Sequence, residues 1–161
     1  MKIDVITVGG TIDKVYFDQN SEYQVGEPIT SLLFKLYNVG FEFEIHSVMR
    51  KDSLDMTEED REALLDKVLN VDGDKILITH GTDTMPVTAE FLKGKVEGKT
   101  VVLTGAILPA GFKNTDAEFN LGCAVGALNI CEPGVYIAMN GGIFNAGEVY
   151  KDLKARQFKK K

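Results

Sequence analysis

Short apolar, β-rich runs alternate with longer amphipathic runs along this chain, and that alternation constrains its fold more than any other feature. Parallel neighbours in a sheet need a crossover of a dozen or more residues, and a helix is the usual one. Strand and helix patterns taken in turn therefore predict an α/β domain with a mostly parallel sheet. Residues 3–8 read as the first strand and stop at Gly9-Gly10. Residues 41–49, 75–79, 101–104 and 135–139 read as four more. The run 75–79 is continuously apolar at its centre, as strands buried on both faces are.

Residues 29–38, ended by Gly40, read as a helix, as do 84–93 and 116–131. Pro86 is tolerable because it falls in a first turn. Thr57 and Asp60 form a capping-box variant ahead of a helix whose Leu64, Leu65, Val68 and Leu69 make one apolar stripe. Gly122, Ala124, Gly126 and Ala127 suggest close packing of the last helix on the sheet. After the fifth strand, Gly141-Gly142 leads into a short extended piece ending at Tyr150. The polar stretch 13–26 is long for a connection in a compact α/β domain, and such loops are usually lids or disordered.

A length of 161 residues predicts a single domain, residues 1–161. With 44% hydrophobic and 26% charged residues, the chain needs no disulfide or metal staple to form a core. Its 18 basic and 24 acidic side chains leave a net charge of −6, which argues against nucleic-acid partners. Cys123 and Cys131 have neither CxxC spacing nor a nearby His, and read as small packing residues. No apolar run approaches the ~20 residues of a membrane span. The chain opens Met1-Lys2-Ile3-Asp4-Val5-Ile6, already strand-like, so no signal peptide is expected and a cytoplasmic location is the default.

In open α/β sheets ligands bind at the carboxyl ends of the strands, and four polar clusters fall at such ends. Val8-Gly9-Gly10-Thr11-Ile12 puts a hydroxyl at the tip of a tight turn but lacks the third glycine of a dinucleotide fingerprint. By itself such a Gly-Gly pair can be purely structural. His80-Gly81-Thr82-Asp83-Thr84-Met85 opens a helix, where backbone N–H groups favour a carboxylate or an oxyanion. Capping needs only one side chain, and here three hydroxyl or acid groups stand in a row. His80 reads as a packed, hydrogen-bonded histidine rather than a base. Lys51-Asp52-Ser53-Leu54-Asp55-Met56 could equally be an ordinary turn, and spacing alone gives no role to Lys151 in Ala146-Gly147-Glu148-Val149-Tyr150-Lys151.

Together these clusters resemble the bacterial-type L-asparaginase/glutaminase family. Residues 8–12 and 80–85 look like its two signatures, the second unbroken over six residues. Glu22-Tyr23 and Gly26 resemble its lid, and Asp52-Ser53 with Asp55-Met56 its substrate loop. Thr104-Gly105-Ala106 to Asn120-Leu121 and Met139-Asn140 to Lys151 resemble the stretches that follow. The resemblance implies a three-layer Rossmann/flavodoxin-like domain with a mostly parallel sheet of about five strands and a flexible lid over residues 13–26.

It also implies Thr11 as nucleophile, helped by Tyr23, with Thr82, Asp83 and Lys151 as a second hydroxyl–acid–lysine group. Ser53 and Asp83 would hold the two α-substituents of the substrate, and Gly10 and Gly81 would approach it with their backbones. The chemistry is coherent. A lysine in its neutral form can take a hydroxyl proton, and strand-end backbone donors can stabilise the oxyanion. No metal or organic cofactor is called for. The expected partner is a small amide, most readily L-asparagine, and a homodimer or higher homo-oligomer is expected.

Three departures stand out. Val8 replaces a usual Thr, and Asp13 sits where a small residue is common. Leu54 takes the place of a polar side chain that helps grip the amino group. Long members continue into a second domain after the lysine, whose acid completes the amine pocket from a neighbouring subunit. Amide hydrolysis is therefore the better-supported expectation, and strict asparagine recognition the weaker one. The rival expectation is a non-catalytic amino-acid-binding module on the same fold.

Overall fold

The computed structural model describes residues 1–17 and 22–161. A six-stranded sheet runs in the order β4-β1-β5-β6-β7-β8, built from β1 (Lys2–Gly9), β4 (Glu42–Lys51), β5 (Lys75–Thr79), β6 (Thr100–Thr104), β7 (Gly134–Met139) and β8 (Gly142–Asn145). The first five pair in parallel, and β8 folds back antiparallel on β7. The expected strands are thus present as a five-strand parallel block. The extended piece after Gly141 adds a sixth strand, because a two-residue reversal at Asn140-Gly141, both at positive φ, turns the chain directly onto β7.

Side-chain alternation along the strands builds two cores. Ile6, Val8, Ile76, Ile78, Val101, Leu103, Ile137 and Met139 face α2 (Glu58–Asn70) and α3 (Met85–Leu92). Ile3, Val5, Leu77, Val102 and Ala138 face α1 (Thr30–Leu36) and α4 (Ala117–Ile130). Strands buried on both faces have no polar side to show, which is why they read as continuous apolar runs. The result is helix, sheet, helix in three layers, as expected.

The Thr57 capping box is present in both directions: Asp60 N donates to Thr57 Oγ1 at 3.3 Å and Thr57 N to Asp60 Oδ2 at 2.9 Å. Two details of the helices differ from expectation. Leu69 is 49% exposed and outside the core, since its position rotates off the face that carries Leu64, Leu65 and Val68. In α4 the buried small residues are Ala117, Ala124 and Ala127, whereas Gly122 and Gly126 have open space where a side chain would go.

The stretch read as a lid is not one irregular loop. Lys14–Phe17 (β2) and Glu22–Val25 (β3) pair antiparallel, and residues 18–21 lie outside the described residues. Asp13 closes the base of this hairpin: its carbonyl accepts from Gly26 N at 2.7 Å and its Oδ1 from Ile29 N at 2.9 Å. Burial pushes the Asp13 carboxyl up to about 6, against the opposing pull of the Ile29 N–H and Arg50. A second hairpin, β9 (Val149–Asp152) with β10 (Gln157–Lys160), ends the chain.

The strand order places a topological switch between β1 and β5, whose outgoing connections lead to opposite sides. Loops diverge there and leave a crevice, the usual ligand site of such sheets. No helix among the described residues is long and apolar enough to cross a membrane.

Candidate active site

The turns after β1, β4 and β5 meet at that crevice with almost nothing between their backbones. A register shift between Thr7 and Gly9 against β4 ends the regular ladder, and Gly10 N donates to Lys51 O at 3.0 Å. Gly10 sits at φ 94, a region L side chains avoid, and a Cβ there would overlap the backbone of Gly81. Gly81 in turn lies on Ser53, where an added Cβ would stand 2.6 Å from Ser53 Cβ. The order Gly10, Gly81, Ser53 is therefore a stack of three chain segments that only small residues permit.

The Ser53 turn is held from both sides. Asp52 Oδ1 accepts from Leu54 N at 3.2 Å, and Lys14 Nζ in β2 donates to Asp52 Oδ2 at 2.7 Å. The Lys14 bond keeps the Asp52 carboxyl below the usual carboxylate range. Thr84, ahead of α3, turns its hydroxyl onto Ser53 O at 2.7 Å instead of capping its own helix.

His80 is fully buried. Its Nδ1 stands 2.7 Å from the Gly81 carbonyl and must carry the proton, so Nε2 accepts from Thr88 Oγ1 at 2.9 Å. The same Thr88 oxygen accepts from Arg61 Nε at 3.1 Å. Desolvation lowers the His80 pKa to about 4. It is the packed, neutral histidine the sequence suggested.

Lys151 reaches the crevice from β9. Its Nζ donates to Thr82 Oγ1 at 2.7 Å and to Asp83 Oδ1 at 2.6 Å. The lysine side chain is 12% exposed and that of Asp83 is 37% exposed. Thr11, Thr82, Asp83 and Lys151 line one cleft of about 450 Å³, with Ile107 and Leu108 on its wall. Thr82 and Asp83 donate their N–H groups to no acceptor among the described residues.

Four of the expected residues thus share one cleft. Gly10, Gly81 and Ser53 form its underlying stack, and the N–H of Gly10 faces Lys51 rather than the cleft, because β4 captures it. Tyr23 stands apart. It is half-exposed, tilts against the Phe112 ring at 5.9 Å between centroids, and borders a neighbouring cleft with Lys14, Asp52 and Asp55.

Two supports escaped sequence reasoning. Asp116 accepts from the N–H groups of Ile107 and Leu108, both at 3.0 Å, and so fixes the cleft wall. Asn120, fully buried, donates to Gly105 O at 3.0 Å and accepts from Asn140 N at 3.1 Å. The one signal for Asn120 was an amide in the first turns of a helix rich in apolar and small residues. Among the described residues, Asp4, Glu44 and His46 are close enough to hold a metal, with ligand atoms within 4.8 Å of one another. They lie far from the crevice along β1 and β4, and there His46 bonds Asp4 at 2.8 Å and Lys2 bonds Glu44 at 2.9 Å.

Comparison with known proteins shows the family and the fold. The family described as "Asparaginase, N-terminal" matches residues 2–159. A probable periplasmic L-asparaginase of Haemophilus influenzae is 34% identical, over 92% of this chain and 46% of its own length. The solved thermostable L-asparaginase of Thermococcus kodakarensis superposes with a TM-score of 0.82 at 27% identity, over 99% of this chain and 51% of that one. L-asparaginase I of Vibrio cholerae gives 0.81 at 26% identity, over 99% and 51%. The chain spans about half the length of these relatives. With the family matched over residues 2–159, the chain belongs to the asparaginase family, in its N-terminal domain.

Proposed function

We propose that this chain hydrolyses a small amide, L-asparagine foremost, to the acid and ammonia. The observation that carries the reading is the Thr82–Lys151–Asp83 group, bonded at 2.7 and 2.6 Å and sharing one cleft with Thr11 at the switch point. Thr11 Oγ attacks the amide carbon, and its proton passes to a neutral amine at Lys151, directly or through the Thr82 hydroxyl. The tetrahedral oxyanion has the N–H groups of Thr82 and Asp83 as available donors. The C–N bond breaks, the proton returns to the leaving nitrogen, and ammonia departs from a Thr11 ester. Water then attacks that ester, giving up a proton to the same group; the acyl–Oγ bond breaks, the proton returns to Thr11 Oγ, and the acid leaves.

Asp83 serves two purposes in this scheme. One carboxylate oxygen holds Lys151, and its exposed side meets the substrate ammonium. Ser53 supports the carboxylate end, and Tyr23 joins the site when the β2–β3 hairpin moves toward the cleft. A homo-oligomer in the cytoplasm is part of the same proposal.

Thr11→Val tests it, since the swap keeps the shape and removes the hydroxyl. Ammonia release from asparagine should fall by more than tenfold with an unchanged melting curve. Activity above about a tenth of wild type would sink the nucleophile assignment, because tenfold is only ~1.4 kcal/mol of barrier. Aspartate binding with no ammonia release from wild type would identify a binding module instead.

A further inference from the structure

Lys151 belongs to a terminal hairpin outside the six-stranded sheet, so something must set where its ammonium stands relative to Thr82. Val149 and Phe158, 1% and 4% exposed, anchor the hairpin to the core, but apolar contacts are non-directional. The directional contact is polar. Phe158 pairs with Lys151 in the antiparallel register, and its N–H leaves the hairpin to donate to Asn140 Oδ1 at 2.9 Å. Asn140 is itself held at φ 53, and its own N–H donates to Asn120 Oδ1 at 3.1 Å. Asn120 donates onward to Gly105 O at 3.0 Å and to Asp116 Oδ2 at 2.8 Å. Asp116 carries the Ile107-Leu108 wall. A chain of side-chain amides therefore joins the wall of the cleft to the strand opposite its lysine.

We propose that Asn140 is a positioning residue for Lys151. Its side-chain carbonyl sets the height of β10, and through the Phe158–Lys151 pair it fixes the lysine against Thr82 and Asp83. The inference rests on the amide-hydrolase reading above. Asparagine suits the position for two reasons: it tolerates the left-handed backbone, and it supplies an acceptor just beyond it. Displacing a catalytic group by about 1 Å can cost on the order of a hundredfold in rate.

Asn140→Gly and Asn140→Asp separate these two reasons. The first keeps the left-handed backbone and removes the acceptor, and the second keeps both. Two readouts are taken on each: steady-state ammonia release, and acetylation of Lys151 by a pulse of acetic anhydride, mapped by peptide mass. Asn140→Gly should lower kcat by about ten- to a hundredfold with KM little changed, and raise Lys151 labelling severalfold relative to the surface lysines. Asn140→Asp should restore both toward wild type. Wild-type kcat and labelling in Asn140→Gly would overturn the proposal, as would a defect in Asn140→Asp equal to that of Asn140→Gly. If wild type releases no ammonia, the hydrolase reading falls, and the labelling arm alone decides whether Asn140 places Lys151.

Discussion

Replacing Gly81 with alanine probes the backbone stack under the cleft with the smallest possible group. Gly81 is not among the positive-φ residues, so the new methyl meets a packing problem and no conformational one. It would stand 2.6 Å from Ser53 Cβ, 2.7 Å from Ser53 Oγ and 3.0 Å from Ser53 N. Comfortable carbon contacts begin near ~3.5 Å, so the overlap approaches an ångström, and part of it is with backbone that Asp52 and Thr84 hold in place. Overpacking of this kind costs about 1–3 kcal/mol. For a chain of this size that is a fall of roughly 2–12 °C in melting temperature. Relief should come from the other side. Ser53→Gly removes the two nearest atoms, so the double variant should recover a good part of the loss, with a coupling of about 0.5–3 kcal/mol. Urea unfolding of wild type, both singles and the double closes the cycle. Strictly additive losses would refute the contact, and with it the claim that the three turns share one close-packed stack. The same variants should raise KM more than they lower kcat, because the substrate loop moves and Lys151 does not.

Lys151→Met should reduce hydrolysis by roughly 10²–10⁴, the range of a positioned acid–base group; ammonia release within about tenfold of wild type counts against lysine as the base. Stability should carry two opposed pH signatures. His80, with its pKa lowered to about 4 from 6.5, favours the neutral native state, so its contribution is full above pH 6.5 and lost on the way down to 4, by about 3 kcal/mol. Asp13, raised to about 6 from 3.8, works in reverse, and its contribution declines by about 3 kcal/mol as pH rises through that window. Asp13→Asn removes the second arm, so wild type should gain on the variant as pH falls from 6 to 4 in urea titrations, and a pH-independent gap would exclude a buried carboxylic acid. Assayed as the 161-residue chain, with Leu54 71% exposed beside Ser53 and Asp83 already engaged by Lys151, hydrolysis should show a KM for asparagine in the roughly millimolar range and weak rejection of succinamic acid; a micromolar KM with strong rejection would mean the amine pocket is complete.

Much of this arrangement was legible in the residues because it is local. The inner parallel strands carry apolar runs, Thr57 and Asp60 sit at capping spacing, and the cluster from His80 to Met85 advertises a strand end opening a helix. What was not legible depends on partners distant in sequence. Nothing near Gly10 says that Lys51 takes its N–H, and nothing near Asn140 says that Phe158 needs its carbonyl. Leu69 fits the helical stripe by spacing, yet its position turns off the face that carries Leu65 and Val68, and it is half-exposed. Tyr23 matched a family position, but where a tyrosine ring lies is decided by the hairpin that carries it, and here that hairpin lays it against Phe112.

The bond between Lys151 and Thr82 closes a loop of 69 positions, and its lysine rides on a two-stranded ribbon, a unit with little stability of its own. Such peripheral pieces open at lower free energy than the sheet they rest on. The contact of Lys151 with Thr82 and Asp83 is therefore expected to open on warming before the parallel sheet does. Heat should silence ammonia release while the circular dichroism still reports an intact fold.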